Sequence, residues 1–132
     1  MSILVIAEHD NSLIKGATLN TVAAASCLNA EVSLLVAGFD ISGVIDEAKK
    51  ISGVSKIISC DDELYKNFLA EDFSNLVLSI ADPYSYILAP ATTFGKNLMP
   101  RISAKLDTQQ ISDIISVESE DTFKRPIYAG SC

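Results

Sequence analysis

The sequence predicts a single α/β domain over residues 1–132: a three-layer, mostly parallel β-sheet with helices on both faces. Three observations carry that reading. Short apolar runs rich in β-branched residues alternate with longer segments of helical periodicity. The runs lack the polar–apolar alternation of a half-exposed sheet, so they suit strands covered on both sides. Most connections between them are long enough to hold the crossover helix that a parallel pair requires.

The elements follow in order. Ser2 to Ala7 (SILVIA) is the first strand, and Glu8-His9-Asp10-Asn11 is the polar loop after it. Ile14 to Leu28 is helix-like, with Leu19, Val22, Ala23 and Ser26-Cys27 along one side and an alanine run that permits close approach to a sheet. Glu31 to Ala37 is the second strand, closed by Gly38. Ile41, Val44, Ile45, Ala48 and Ile51 keep amphipathic spacing, and Gly53 supplies the stop. Lys56 to Cys60 is a short third strand. Asp61 or Asp62 can N-cap the next region, where Tyr65, Phe68, Leu69, Phe73, Leu76, Val77 and Ile80 mark two linked helical segments. Tyr86 to Ala89 is the fourth strand. Leu98, Ile102 and Leu106 line another helix, in which Pro100 is tolerable only in the first turn or at a kink. Ile111 to Val117 and Phe123 to Tyr128 read as strands. Their short connection predicts a C-terminal antiparallel strand addition.

Composition narrows the function classes. The chain is 48% hydrophobic and 20% charged, as in a soluble globular domain. Ten Lys+Arg against 17 Asp+Glu leave a net charge of -7, which argues against nucleic acid as a partner. No window resembles a membrane span, and no basic leader precedes the first strand, so a cytoplasmic location is expected. Cys27, Cys60 and Cys132 have no metal-ligand spacing and fit reduced thiols, the first two as small buried hydrophobes.

Ligands of such sheets sit beyond the carboxyl ends of the strands, in the loops 8–11, 38–42, 60–62 and 90–97. None of them is a strong phosphate motif. Gly95-Lys96 resembles the end of a P-loop, but Pro90 stands where its first glycine belongs and Asn97 replaces the Ser/Thr that holds magnesium. Thr92, Thr93, Gly95 and Lys96 still offer hydroxyls, N–H groups and a cation at a helix N-terminus. The simpler reading is a helix-capping loop with a solvated lysine. His9 invites a general acid–base role, yet no nucleophile accompanies it and no catalytic residue is expected. The carboxylates Asp61-Asp62-Glu63 read as a cap and solvated face rather than a metal site. Arg101 and Arg125 are candidates for positioned ion pairs, with Asp107, Asp113 and Glu118 close in sequence.

Seven segments together carry a resemblance: LVIAEHDN, ATLNTVAAA, VSLLVAG, GVSKI, ILAPATTFGKNLMPR, ISDIISVE and FKRPIYAG. In this order they resemble the N-terminal domain of the electron transfer flavoprotein alpha subunit, and the likeness covers essentially the whole chain. The resemblance implies a Rossmann-like fold of the adenine-nucleotide-alpha-hydrolase type. It also implies a heterodimer with a beta subunit, carrying FAD on the alpha subunit's C-terminal domain and AMP in the beta subunit. Such a heterodimer shuttles electrons from acyl-CoA and other dehydrogenases to a quinone oxidoreductase, in the bacterial cytoplasm or, in a eukaryote, the mitochondrial matrix.

Family members continue past the point where this chain stops at Ser131-Cys132. No FAD residue can therefore be carried over, and no cofactor is expected on this chain alone. Thr92, Thr93, Gly95, Lys96 and Asn97 would form a vestigial nucleotide-type loop. Arg101, Asp113 and Arg125 would serve packing or the interface. An open edge at 123–128 predicts self-association. The alternative class is a stand-alone nucleotide-binding domain similar to small stress-type proteins.

Overall fold

The computed structural model describes residues 2–28, 30–107 and 113–117, of which 106, 107 and 113–117 by backbone alone. Strands β1 (Ser2–Ile6), β2 (Glu31–Gly38), β3 (Lys56–Asp61), β4 (Tyr86–Pro90) and β5 (Asp113–Val117) form one sheet in the order β3-β2-β1-β4-β5. Every pairing is parallel. Helices α1 (Gly16–Ser26), α2 (Ser42–Ala48), α3 (Ala70–Ile80) and α4 (Thr93–Asp107) fill the connections, with a 3-10 turn at Glu63–Tyr65 before α3.

The strands alternate between two cores. Ile3, Val5, Val32, Leu34, Val36 and Leu88 pack beneath α1 and α2 with Val22, Ala25, Val44 and Ala48. Leu4, Ile6, Leu35, Ile87 and Ala89 face the other way, toward Phe73, Val77, Leu98 and Ile102 of α3 and α4. Period-two alternation in strands with no polar face requires two covering layers, and the chain supplies them. Phe73, 1% exposed, meets Tyr65 and Phe94 edge-on and fixes how α3 and α4 seat on the sheet.

Several expectations are corrected. The buried side of α1 is Thr18, Thr21, Val22 and Ala25, while Leu19 is 48% exposed. The threonines can be buried because their hydroxyls are satisfied: Thr21 Oγ1 donates to the Ala17 carbonyl, and Thr18 Oγ1 donates to the Glu8 carbonyl while accepting its N–H. Pro100 is the eighth residue of α4, which excludes the first turn, one of the two places expected for it. It is exposed there, so the Lys96 carbonyl that loses its helical donor lies on the solvent side. The expected N-cap, by contrast, is present: Asp62, one of the two candidates, caps the 3-10 turn through Leu64 N–H, while Asp61 accepts from the N–H groups of Asp40 and Ile41 ahead of α2. Cys27 is exposed and disulfide-bonded rather than a buried thiol, and Cys60 is a half-buried free thiol.

The expected C-terminal addition divides in two. β5 runs parallel to β4, because α4 is a full crossover helix between them. Its expected antiparallel mate at 123–128, and the edge on which self-association was expected, lie outside the described residues. At the other side of the sheet β3 is an edge strand.

Candidate functional site

The chain lays down β1, β2 and β3 in one direction with α1 and α2 on one face. It then crosses back to place β4 beside β1, with α3 and α4 on the other face. The winding reverses between β1 and β4, so their carboxyl ends open a crevice at the switch point. A cleft of about 400 Å³ lies there, lined by Glu8, His9, Asp10, Lys15, Phe68, Thr93, Phe94 and Asn97. Two of the four loops singled out from the sequence therefore converge. A second groove, about 430 Å³, lies away from the carboxyl ends between α1 and α2 and is lined by Leu19, Ala23 and Ile51 among others.

The β4–α4 wall of the cleft is built by packing. Thr92 caps α4: its Oγ1 accepts the Gly95 N–H at 3.3 Å and its carbonyl accepts the Lys96 N–H at 2.8 Å. A Cβ on Gly95 would lie 1.7 Å from the Pro90 carbonyl oxygen, so glycine is what lets the helix start directly against the strand end. Thr93 and Asn97 line the cleft, while Lys96 is exposed and does not. Of the five residues assigned to a nucleotide-type loop, one caps, one packs, one is solvated and two reach the cleft.

The β1–α1 wall is built by hydrogen bonds. His9 is 3% exposed, donates Nε2–H to the Ala37 carbonyl at 2.7 Å and accepts the Asn11 N–H on Nδ1 at 3.0 Å. Both ring nitrogens are used, and only the neutral imidazole can make both bonds. Burial lowers the His9 pKa below its ordinary value, against the opposing pull of the Ala37 carbonyl, Asp10 and Glu8. The ring packs edge-on against Phe68 at 5.2 Å. His9 is thus a structural node, not a free acid or base.

Asn11, at φ 70, extends that node. Its Oδ1 accepts the Phe39 N–H and its Nδ2 donates to the Lys66 carbonyl. Gly38 admits them, since a Cβ there would lie 2.6 Å from both Asn11 Oδ1 and His9 Cε1. Asp10 accepts the N–H groups of Ser12 and Leu13, which hold its carboxyl below the usual range. Sequence reasoning passed over Asn11. Its signal was an Asx-type residue beside Asp10 in a loop without glycine.

The electrostatics do not favour a phosphate. Glu8 and Asp10 line the cleft against Lys15 alone among its cations. Glu8 Oε1 is buried there with no hydrogen-bond partner among the described residues. The α4 N-terminus contributes positive potential, but Thr92 has already claimed the Gly95 N–H. The residues present therefore do not fit a dinucleotide pyrophosphate, and no chemistry of a bound flavin is derived from them. Among the described residues, no group of His, Cys, Asp and Glu could hold a metal ion.

The remaining candidates lie apart from the cleft. Arg101 pairs with Glu71 of α3 at 3.2 Å, and Lys105 reaches the same carboxylate at 2.6 Å. Of the carboxylates close to it in sequence, Asp107 and Asp113 are described by backbone alone, and Glu118 lies outside the described residues. Lys105 foremost, and Arg101 less, hold the Glu71 carboxyl below its usual range. Asp113 opens β5 in register with Tyr86. Arg125 lies outside the described residues.

Comparison with known proteins gives this architecture a family. Residues 3–132 match the family described as electron transfer flavoprotein domain. The chain is 50% identical over 131 residues to the electron transfer flavoprotein subunit alpha of Pseudomonas aeruginosa, covering 99% of this chain and 42% of that one. It is 43% identical over 132 residues to the Paracoccus denitrificans subunit alpha, covering 99% and 42%. It is 41% identical over 136 residues to the mitochondrial subunit alpha of Dictyostelium discoideum, covering 97% and 38%. The chain thus spans about two fifths of the length of these curated relatives. With nearly all its residues matched, the chain belongs to the electron transfer flavoprotein family.

Proposed function

We propose that this chain is the scaffold and subunit-interface domain of an electron transfer flavoprotein alpha subunit. In that role it would carry no redox chemistry of its own and would support a heterodimer in which FAD shuttles electrons from acyl-CoA and other dehydrogenases to a quinone oxidoreductase. The observation that carries the proposal is the match of 99% of this chain to an alpha subunit, at 50% identity over 131 residues and 42% of that subunit's length. The cleft supports it: a crevice in the position of a nucleotide site, but with its loop spent on packing, its histidine fully bonded and two carboxylates, Glu8 and Asp10, in its lining. The same features speak against the stand-alone nucleotide-binding alternative. The partner is a beta subunit, to which the AMP of the assembly belongs. No helix among the described residues is long and apolar enough to cross a membrane, in keeping with a carrier working beside one rather than within it.

The visible spectrum tests this reading. The purified chain is expected to be colourless with added FAD, and a yellow flavoprotein is expected when it is joined to the downstream segment of an alpha subunit and mixed with a beta subunit. A flavin spectrum from these 132 residues alone would overturn the proposal.

A further inference from the structure

We infer that the loops at the carboxyl ends of β1, β2 and β3 form a protein docking surface, which takes a partner face of apolar side chains set among lysines and arginines. This goes beyond the flavoprotein reading, because it concerns the chemistry of the face and holds whichever protein supplies it.

The first observation is exposure. The large apolar side chains most exposed among the described residues are Leu13 (60%), Leu69 (57%), Leu64 (54%), Leu19 (48%) and Phe39 (36%). Four of the five lie on these three loops, while Leu19 alone lies on a helix flank. Isolated exposed leucines are ordinary, but their concentration at one end of a sheet is not.

The second is backbone strain at the same places. Among the described residues, the non-glycine residues in the left-handed region are Asn11, Asp40 and Phe68, at φ 70, 57 and 56. Each of the three loops holds one, and each stands within two residues of an exposed apolar side chain: Leu13, Phe39 and Leu69. For a bulky aromatic such as Phe68 this conformation is a genuine outlier. Strain persists where surrounding structure over-determines it, and it collects at binding sites.

The third is stiffness. Asn11 ties the first loop to Phe39 of the second and to Lys66 of the third. Asp61 ties the third to Asp40 and Ile41 of the second, and the Asp62 N–H donates to the Gly38 carbonyl. The apolar side chains are therefore presented on a fixed backbone, which lowers the ordering cost of binding.

Charge selects the occupant. The exposed charged groups on these loops are Asp10, Asp40, Asp61, Asp62 and Glu63 against Lys15 and Lys66, and Lys66 Nζ stands 5.7 Å from the Phe39 ring centroid. Exposed apolar side chains on loops with an excess of carboxylates complement a basic, apolar protein face. The same field repels a second copy of this chain, a nucleic acid and an anionic lipid surface.

The test is an NMR titration of the isotope-labelled chain with a helical leucine–lysine peptide, with a leucine–glutamate peptide as the charge-reversed control. Saturable shifts are expected at Leu13, Phe39, Leu64 and Leu69 with the lysine peptide only. The double variant Leu64→Ser/Leu69→Ser should bind about tenfold more weakly while keeping its amide fingerprint, as loss of a central apolar anchor predicts. Asp40→Asn/Glu63→Gln removes two charges and should weaken binding about threefold, mainly at low salt. Absence of saturable shifts or shifts centred on the α1–α2 groove would overturn the inference. So would equal binding of the glutamate peptide, unchanged affinity in the leucine variant, or perturbation of the same loops by phosphatidylglycerol vesicles.

Discussion

The connections after β1 and β4 face each other across one crevice, yet different physics holds them. The β4 connection is only two residues, Ala91 and Thr92, and can be that short because Gly95 has no side chain: α4 begins against the Pro90 carbonyl, and Thr92 closes its first turn. The β1 connection has no glycine before Gly16 and is held instead by side chains that reach the backbone of β2 and of other loops, His9 to Ala37 and Asn11 to Phe39 and Lys66. The loop with the phosphate-like sequence is thus a packing device, and the loop without a motif organises the crevice. Glycine next to lysine reports close backbone approach as readily as it reports a phosphate.

That contrast can be broken by substitution, beginning where the effect is largest. Gly95→Ala places a Cβ against a backbone oxygen that cannot rotate away, and overpacking of this kind costs about 3 kcal/mol at the upper end of its usual range. The denaturation midpoint should fall accordingly; an unchanged midpoint would mean that the β4 connection has slack. Asn11→Ala removes the bonds to Phe39 and Lys66 and leaves alanine in a left-handed conformation, for a loss of about 2 kcal/mol. Its damage should appear as faster amide exchange in all three carboxyl-edge loops, whereas Gly95→Ala should loosen α4 first.

A smaller change sharpens the comparison. Thr92→Ala deletes only a cap and should cost about 1 kcal/mol, read from the same denaturation curves. Titration of His9 should give a gentler effect still. Its folded pKa is lowered, so the unfolded chain binds more protons as pH falls. The stability contributed by neutral His9 is complete above the ordinary histidine pKa of about 6.5 and declines below it toward the folded pKa. A His9→Gln variant should lack that part of the pH dependence. If wild type and variant show the same slope between neutral and mildly acidic pH, His9 is not the neutral node described.

The fold was legible because its signals are local and strong. Runs such as Ile3 to Ala7 and Val32 to Ala37 have no polar face, so both sides must be covered, and helical segments separate them. The face of α1 was misread for an equally physical reason. Apolar periodicity favours Leu19, but Thr18 and Thr21 satisfy their hydroxyls on backbone carbonyls and can be buried in its place. The site was less legible because its bonds are long-range. Nothing in residues 8–11 says that His9 will meet Ala37, or that Asn11 will meet Lys66, until strand order brings those loops together. Arg101 shows the same limit: its carboxylate is Glu71, thirty positions away on α3.

The central claim is that this crevice keeps the place of a nucleotide site without its binding chemistry. Isothermal titration of the chain with AMP tests it most directly. No saturable heat is expected at ligand concentrations up to the millimolar range, because carboxylates line the cleft and the α4 N-terminus is already capped. Saturable binding with micromolar affinity would contradict the account.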